Sequence, residues 1–488
     1  MNKLQLCVFS IRPNGGTGLA LFLILACYAC INPNANGQER PNLIVVFIDD
    51  MGWGDLSCFG NQSVETQNID RLAREGIRFE QFYVNSPICS PSRVAISTGQ
   101  YPQRWKITSY LNNRKSNIQR GMAQWLDPKA PMLARELQQA GYATGHFGKW
   151  HMGGQRDVGD APLITEYGFD RSLTNFEGLG PRVLPLKDAY NGKPPQKHAL
   201  GSDKLGRGKI TWQDRSLVTQ SFTQAALDFI RDAEKAGKPF FVNVWPDDVH
   251  SPFFPPEARR GDGTKRTLYH GVLDTMDEQL GVLFDYVRDN PKLANNTLIL
   301  LCSDNGPEQG AGTAGPFRGF KTHLYEGGIR SPLIVWGPGL THAPATGTTN
   351  QTSFLAAIDL APTLLAITGV QSDRSSEWDG ESLVATLLGQ TVASREQPLC
   401  FRRPPDRDRF YGVDDLPDLA IRDGVWKLLC EYDGSQAELY RLDQDPGEKE
   451  NLASQHPDQV KALTKKILTW HASMPPDLGE TYRAPNRR

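Results

Sequence analysis

The sequence lacks an apolar run long enough to cross a bilayer: the longest, Leu19 to Ile31, has thirteen residues where about 20 are needed. It also lacks an excess of charge of one sign. Its 53 Lys and Arg face 55 Asp and Glu, for a formal net charge of −2. With no basic stripe, the footprint that a phosphate backbone requires is missing, so nucleic acid is excluded as a partner. There is no internal repeat or low-complexity tract, and 39% hydrophobic residues exclude disorder. The 46 Gly and 34 Pro follow no period, which excludes a fibrous protein and fits a loop-rich globular enzyme. At 488 residues the chain can bury a large interior.

The short apolar run suits an export signal. Lys3 and Arg12 precede it, and Asn32, Pro33, Asn34, Asn36 and Gly37 follow as a polar spacer. Residues 1–31 therefore read as an export signal and 32–40 as a spacer, placing the mature protein in the periplasm or outside the cell. Ile24-Leu25-Ala26-Cys27 also resembles a bacterial lipobox, which would put a lipid anchor on Cys27 and make a membrane-anchored lipoprotein. The alternative is ordinary cleavage near Ala29 or beyond. Asn61, Asn295 and Asn350 stand in sequons that matter only in a glycosylating pathway.

From Leu43 onward, short apolar runs alternate with helix-period segments, the pattern of an α/β protein whose large, mostly parallel sheet is sandwiched by helices. Expected strands are Leu43 to Ile48, Ile77 to Val84, Tyr142 to Phe147, Phe240 to Val244, Thr297 to Cys302 and Pro332 to Trp336. Helices are expected around Ile69 to Ala73, Met132 to Ala140, Leu217 to Lys235 and Gly271 to Val287. This assigns residues 41–395 to a catalytic domain. Residues 396–488 form a smaller C-terminal α+β subdomain, with short strands at Leu419 to Ile421, Trp426 to Leu429 and Glu438 to Tyr440 and a closing helix from His456 to Met474.

Polar residues follow four of these strands: Asp49-Asp50, Gly148-Lys149-Trp150-His151, Asp247-Asp248-Val249-His250 after Trp245-Pro246, and Ser303-Asp304-Asn305. In open α/β sheets such strand ends share one edge, where ligands bind. Adjacent carboxylates after a buried strand need a counter-charge. Asp49, Asp50, Asp304 and the Asn305 amide make an all-oxygen set suited to Ca²⁺ or Mg²⁺; alone, Asp49-Asp50 could simply cap a turn. Arg93, Lys149, His151, His250 and Lys321 lie in Gly- or Pro-bearing loops and, beside a metal, describe a site for a tetrahedral oxyanion. Pro91 suits a first helical position, which puts Cys89 just before a helix N-terminus as a low-pKa nucleophile; the plain alternative is a small buried Cys.

Cys89-Ser90-Pro91-Ser92-Arg93 with Thr98-Gly99, and Gly141-Tyr142-Ala143-Thr144 through Gly148-Lys149-Trp150-His151, resemble the two signatures of the type I sulfatases, the formylglycine-dependent arylsulfatases of the alkaline phosphatase-like superfamily. Further similar stretches are Asp49 to Asp55, His250-Ser251-Pro252, Ser303-Asp304-Asn305-Gly306, Lys321 with Tyr325 to Arg330, Arg422 to Leu428 and Asp445 to Glu448, so the resemblance spans about residues 40 to 475. It implies that a formylglycine-generating or anaerobic sulfatase-maturating enzyme oxidises Cys89 to formylglycine, whose hydrate attacks sulfur. It implies that Asp49, Asp50, Asp304 and Asn305, with the hydrate at position 89, hold Ca²⁺. Arg93 and Lys149 would hold hydrate and sulfate, His151 would take the proton that releases sulfate, and His250 and Lys321 would bind sulfate, with His250 the acid for the leaving oxygen. The implied substrate is a sulfated carbohydrate, nearest to galactose or N-acetylgalactosamine sulfates. Asp247 and Asp248 either contact sugar hydroxyls or cap a turn, and no family-like Ser contact is found in Asn175 to Gly178. A phosphate or phosphonate ester hydrolase on the same fold and an inactive glycan-binding relative are the competing readings.

The eight cysteines fit this scheme. Removing the export segment with Cys7, Cys27 and Cys30 leaves five, an odd number, and converting Cys89 leaves four: Cys58, Cys302, Cys400 and Cys430. Cys302 reads as a buried strand residue, and Cys400 and Cys430 are candidates for a pair that sequence alone does not fix.

Overall fold

The computed structural model describes residues 40–188, 192–406, 416–476 and 478. The export segment, its three cysteines and most of the spacer lie outside them. In chain order the strands are β1 (Asn42–Ile48), β2 (Ile77–Tyr83), β3 (Ala143–Gly148), β4 (Arg171–Leu173), β5 (Arg182–Lys187), β6 (Gln196–Lys197), β7 (Ile210–Asp214) and β8 (Phe240–Trp245). They continue with β9 (Thr297–Ser303), β10 (Arg330–Trp336), β11 (Thr349–Asn350), β12 (Leu355–Ala356), β13 (Leu399–Arg402), β14 (Leu419–Asp423), β15 (Trp426–Cys430) and β16 (Glu438–Arg441).

The large sheet runs β11-β2-β10-β9-β1-β8-β3-β4, with β12 also on β2. All its pairings are parallel except those of β10, which is antiparallel to both neighbours. Every residue of β1 and β9 is buried, which is why both read as continuous apolar runs rather than alternating ones. The alternation shows instead in where the side chains go. Ile44, Val46 and Ile48 of β1 join one core with Phe222 and Leu273 of the helices Val218–Lys235 and Lys265–Asp289. Leu43, Val45 and Phe47 join the other, against Val94 and Ile96 of the helix Cys89–Thr98 and Leu360 of the helix Ala357–Thr368. Helices thus cover both faces and push the polar strand ends to one edge.

The strands β13-β14-β15-β16 form an antiparallel sheet, followed by the helix Pro457–Ser473. Its apolar face shares a core with Tyr83, Ile329 and Phe354 of the main body. Cys400 on β13 and Cys430 on β15 flank β14, opposite Ile421 and Leu419. Two strand spacings, about 9 to 10 Å, exceed disulfide reach, and both thiols are free, so these cysteines do not pair. A small sheet in the order β6-β5-β7, which no sequence pattern announced, forms one side of the cavity treated below. No helix of the described residues is long and apolar enough to cross a membrane.

Candidate active site

The strand ends converge as expected. β1 delivers Asp49 and Asp50, β9 delivers Asp304 and Asn305, β3 delivers Lys149 and His151, and the segment after β8 delivers Asp247 and His250. Gly148 makes the turn out of β3 possible: at φ 132° a Cβ there would come within 2.1 Å of the Trp245 carbonyl, the group that accepts from the Lys149 amide at 2.9 Å. Asp50 takes a left-handed backbone (φ 58°), and its amide donates to Asp304 Oδ1 at 3.0 Å, tying the two strand ends together.

Carboxylate oxygens of Asp49, Asp50 and Asp304 lie within 4.8 Å of one another, fully buried. Three cations offset them. Arg93 Nη2 donates to Asp304 Oδ2 at 2.7 Å and Asp49 Oδ1 at 3.1 Å, Lys149 Nζ to Asp49 Oδ2 at 2.6 Å, and Lys321 Nζ to Asp50 Oδ2 at 2.6 Å. Burial alone would raise the Asp49 carboxyl, but Lys149 and Arg93 hold it well below the usual range. Burial and the neighbouring Asp49 push Asp304 up, with Arg93 opposing. Asn305 Nδ2 donates to Asp50 Oδ1 at 2.8 Å, while its Oδ1 is buried with no hydrogen-bond donor among the described residues. A buried amide oxygen left open beside three carboxylates fits a hard, oxygen-preferring cation, so the Asp49, Asp50, Asp304 and Asn305 set is chemically suited to Ca²⁺ or Mg²⁺.

Cys89 opens the helix Cys89–Thr98, two residues earlier than Pro91 suggested, and lines a cavity of about 400 Å³ with Lys149, His151, His250 and Lys321. Burial pushes its thiol up, although Lys149 and Lys321 pull the other way. This corrects the expectation of a low-pKa thiolate: next to Asp49 and Asp50, a helix N-terminus does not compensate for lost water.

The two histidines have opposite tautomeric constraints. His151 Nε2 lies 2.9 Å from the Leu111 carbonyl, which fixes its proton there and leaves Nδ1 as an acceptor. Burial pushes His151 down to about 3, Lys149 adding to the effect and Glu177, 3.4 Å away, opposing it. His250 Nδ1 faces the Ser251 carbonyl at 2.7 Å, so its Nε2, 3.6 Å from Asp50 Oδ2, is the working nitrogen. Burial pushes His250 down as well, opposed by Asp50.

The two acidic residues before His250 separate. Asp247 lines the cavity, and its carboxylate accepts from Arg215 Nη1 at 2.9 Å and Asn175 Nδ2 at 2.8 Å. Asp248 is not among the lining residues; its carboxylate accepts from the Thr219 hydroxyl, in the first turn of the helix Val218–Lys235. Sequence reasoning missed Glu177, Arg215, Lys187 and His198, all on the cavity wall. Glu177 and Asn175 fall in the stretch Asn175 to Gly178, where the resemblance implies a Ser that this sequence does not have; Arg215 has no local signal, because its partner is 32 residues away.

The family model described as Sulfatase matches residues 41–370. The chain belongs to the sulfatase family. A second model, described as N-sulphoglucosamine sulphohydrolase, C-terminal, matches residues 315–472 of this sulfatase. An N-acetylgalactosamine-6-sulfatase of Sus scrofa is 30% identical over 88% of this chain and 85% of its own. An N-acetylgalactosamine-6-O-sulfatase of Bacteroides thetaiotaomicron is 29% identical over 89% of this chain and 94% of its own. A solved structure described under metabolism of multiple glycosaminoglycans by Bacteroides thetaiotaomicron is 26% identical, with a TM-score of 0.71 over 88% of this chain and 99% of its own. The sulfatase is accordingly a sulfuric ester hydrolase on a mixed, mostly parallel sheet.

Proposed function

We propose that this sulfatase removes sulfate from N-acetylgalactosamine or galactose units of sulfated carbohydrates, after Cys89 has been converted to formylglycine by a formylglycine-generating or anaerobic maturating enzyme. It works in the periplasm or outside the cell, delivered by the segment 1–31 and held at the membrane if Cys27 is lipidated. The observation that carries the chemistry is Cys89 lining one cavity with two lysines and two histidines, beside a buried all-oxygen set. The relatives that act on N-acetylgalactosamine supply the sugar.

Formylglycine hydrate would supply the nucleophilic oxygen, and Asp49, Asp50, Asp304 and Asn305 would hold Ca²⁺ or Mg²⁺, which would supply positive charge to the site. The protein's own groups do the rest. Lys149 and Lys321 each spend one of three ammonium donors on a carboxylate and keep two for the sulfate oxygens. Arg93 is wholly buried and braced between Asp49, Asp304 and the Lys149 carbonyl, so it sets the position of those groups. His151 Nδ1 accepts a proton, and a sulfate bound between the lysines raises its affinity for one. His250 Nε2 faces the cavity and hands a proton to the departing oxygen. Asp247, locked by Arg215 and Asn175, shapes the sugar side, and Asp248 serves as a helix anchor.

An aryl sulfate compared with the matching aryl phosphate tests the reaction, and defined 6-sulfated galactose and N-acetylgalactosamine saccharides test the sugar. Preference for phosphate would reverse the reading. Two results are expected alongside. Dialysis against a chelator removes activity, and Ca²⁺ or Mg²⁺ restores it, with no change in the oxidation state of residue 89; activity indifferent to thorough chelation would refute the metal assignment. His250→Ala lowers kcat on a sugar sulfate about 10²- to 10⁴-fold. On an aryl sulfate, whose phenolate leaves without help, the loss is far smaller, and equal losses on both would remove His250 from the acid role.

A further inference from the structure

Five cationic side chains line the cavity: Lys149, Arg156, Lys187, Arg215 and Lys321. Four face a carboxylate. Lys149 and Lys321 lie 2.6 Å from Asp49 and Asp50, Arg215 lies 2.9 Å from Asp247, and Arg156 lies 3.7 Å from Glu177. The third lining carboxylate, Glu308, is taken by Lys265 at 2.8 Å. Among the described residues no carboxylate pairs with Lys187, whose Nζ instead lies 6.0 Å from the Phe254 ring centroid.

Lys187 ends β5, so it stands on the wall built by the small β6-β5-β7 sheet, while the reacting groups come from the large sheet. Half-buried and repelled by Arg215, its ammonium is pushed down to about 8. A fixed anion beside it would offset both effects by favouring the charged form. His198 shares this wall but is kept neutral, burial pushing it down to about 4, and its ring packs edge-on against Phe176 at 5.3 Å. The wall therefore offers one uncompensated positive charge next to an aromatic surface.

We propose that Lys187 receives a second anionic group of the substrate, a sulfate or a carboxylate carried beside the ester being cleaved. The preferred substrate is then a multiply charged saccharide rather than an isolated monosulfated sugar. This inference rests on the carbohydrate reading of the cavity and adds a selectivity residue to it.

The test uses the matured, metal-loaded protein and its Lys187→Ala and Lys187→Arg variants. The substrates are a neutral aryl sulfate, a 6-sulfated N-acetylgalactosamine saccharide with an uncharged neighbour, the same saccharide with a second sulfate, and the same saccharide joined to a uronate. Lys187→Ala is expected to raise KM about 10- to 100-fold on one or both doubly charged saccharides, with kcat unchanged. The aryl sulfate and the singly charged saccharide show no change, and Lys187→Arg recovers most of the loss. Whichever doubly charged saccharide responds identifies the anion. An equal loss on all four substrates, or none on either doubly charged one, overturns the inference while leaving the carbohydrate reading intact. Wild-type protein that cleaves the aryl sulfate and none of the saccharides overturns both.

Discussion

Cys89→Ala is expected to abolish sulfate release, by about 10⁴-fold or more, while the protein folds and melts as the wild type does. The change removes one sulfur atom from the first turn of a helix whose ten residues are all buried, so packing loses little. On the mechanism proposed above, chemistry loses its nucleophile. Burial raises the unmodified thiol, and Asp49 and Asp50 raise it further against the pull of Lys149 and Lys321, which makes it a poor nucleophile near neutrality. Activity should therefore track conversion, not protein concentration. Wild-type protein made with and without a formylglycine-generating enzyme, analysed by mass spectrometry of the peptide holding Cys89, should show turnover proportional to the converted fraction. Fully active protein whose Cys89 is still a thiol would overturn the mechanism, and Cys89→Ala with measurable turnover would remove the residue from the centre altogether.

The parts of this site legible in the sequence are those written locally. β1, β3 and β9 are short runs followed directly by polar residues, and β8 by polar residues after Pro246; one rule about strand ends brings Asp49, Lys149, His250 and Asp304 together across 255 residues of chain. The unread parts depend on distant pairing. β5 and β7 pair in parallel over 28 residues, are partly exposed and carry no clean alternation, so the wall that holds Lys187 has no periodic signature. The helix Ala357–Thr368 hid for the opposite reason: it is buried nearly all round, with Pro362 inside, and so shows no polar face. Asp247 and Asp248 are neighbours in sequence with different fates, because Arg215 and Asn175 draw one carboxylate into the cavity wall and Thr219 takes the other to a helix start.

Lys427→Met should destabilise the fold by about 3 to 5 kcal/mol, the cost of leaving a buried charge without its partner. Lys427 lies on β15 with no exposure, and its ammonium sits 2.9 Å from Glu326 and 2.8 Å from Glu448, both equally buried. Glu326 keeps Arg330 at 3.2 Å and the Tyr83 hydroxyl when Lys427 is gone. Among the described residues Glu448 keeps only the hydrogen bond it accepts from the Glu326 amide at 2.6 Å. Burial already pushes Glu448 up to about 7, with Lys427 holding it down and Glu326 opposing, so the variant should force it to bind a proton. The sign of the pH dependence follows. A carboxyl whose folded pKa lies above its unfolded value holds more protons when folded, so stability falls as pH rises between the two, and the variant extends that fall to higher pH. The melting deficit of Lys427→Met should thus be larger at about pH 8 than at about pH 5. Adding Glu448→Gln removes the orphaned charge and should recover part of the loss, a coupling that a double-mutant cycle measures. Equal melting deficits at the two pH values, with no recovery in the double variant, would show that Lys427 contributes packing alone.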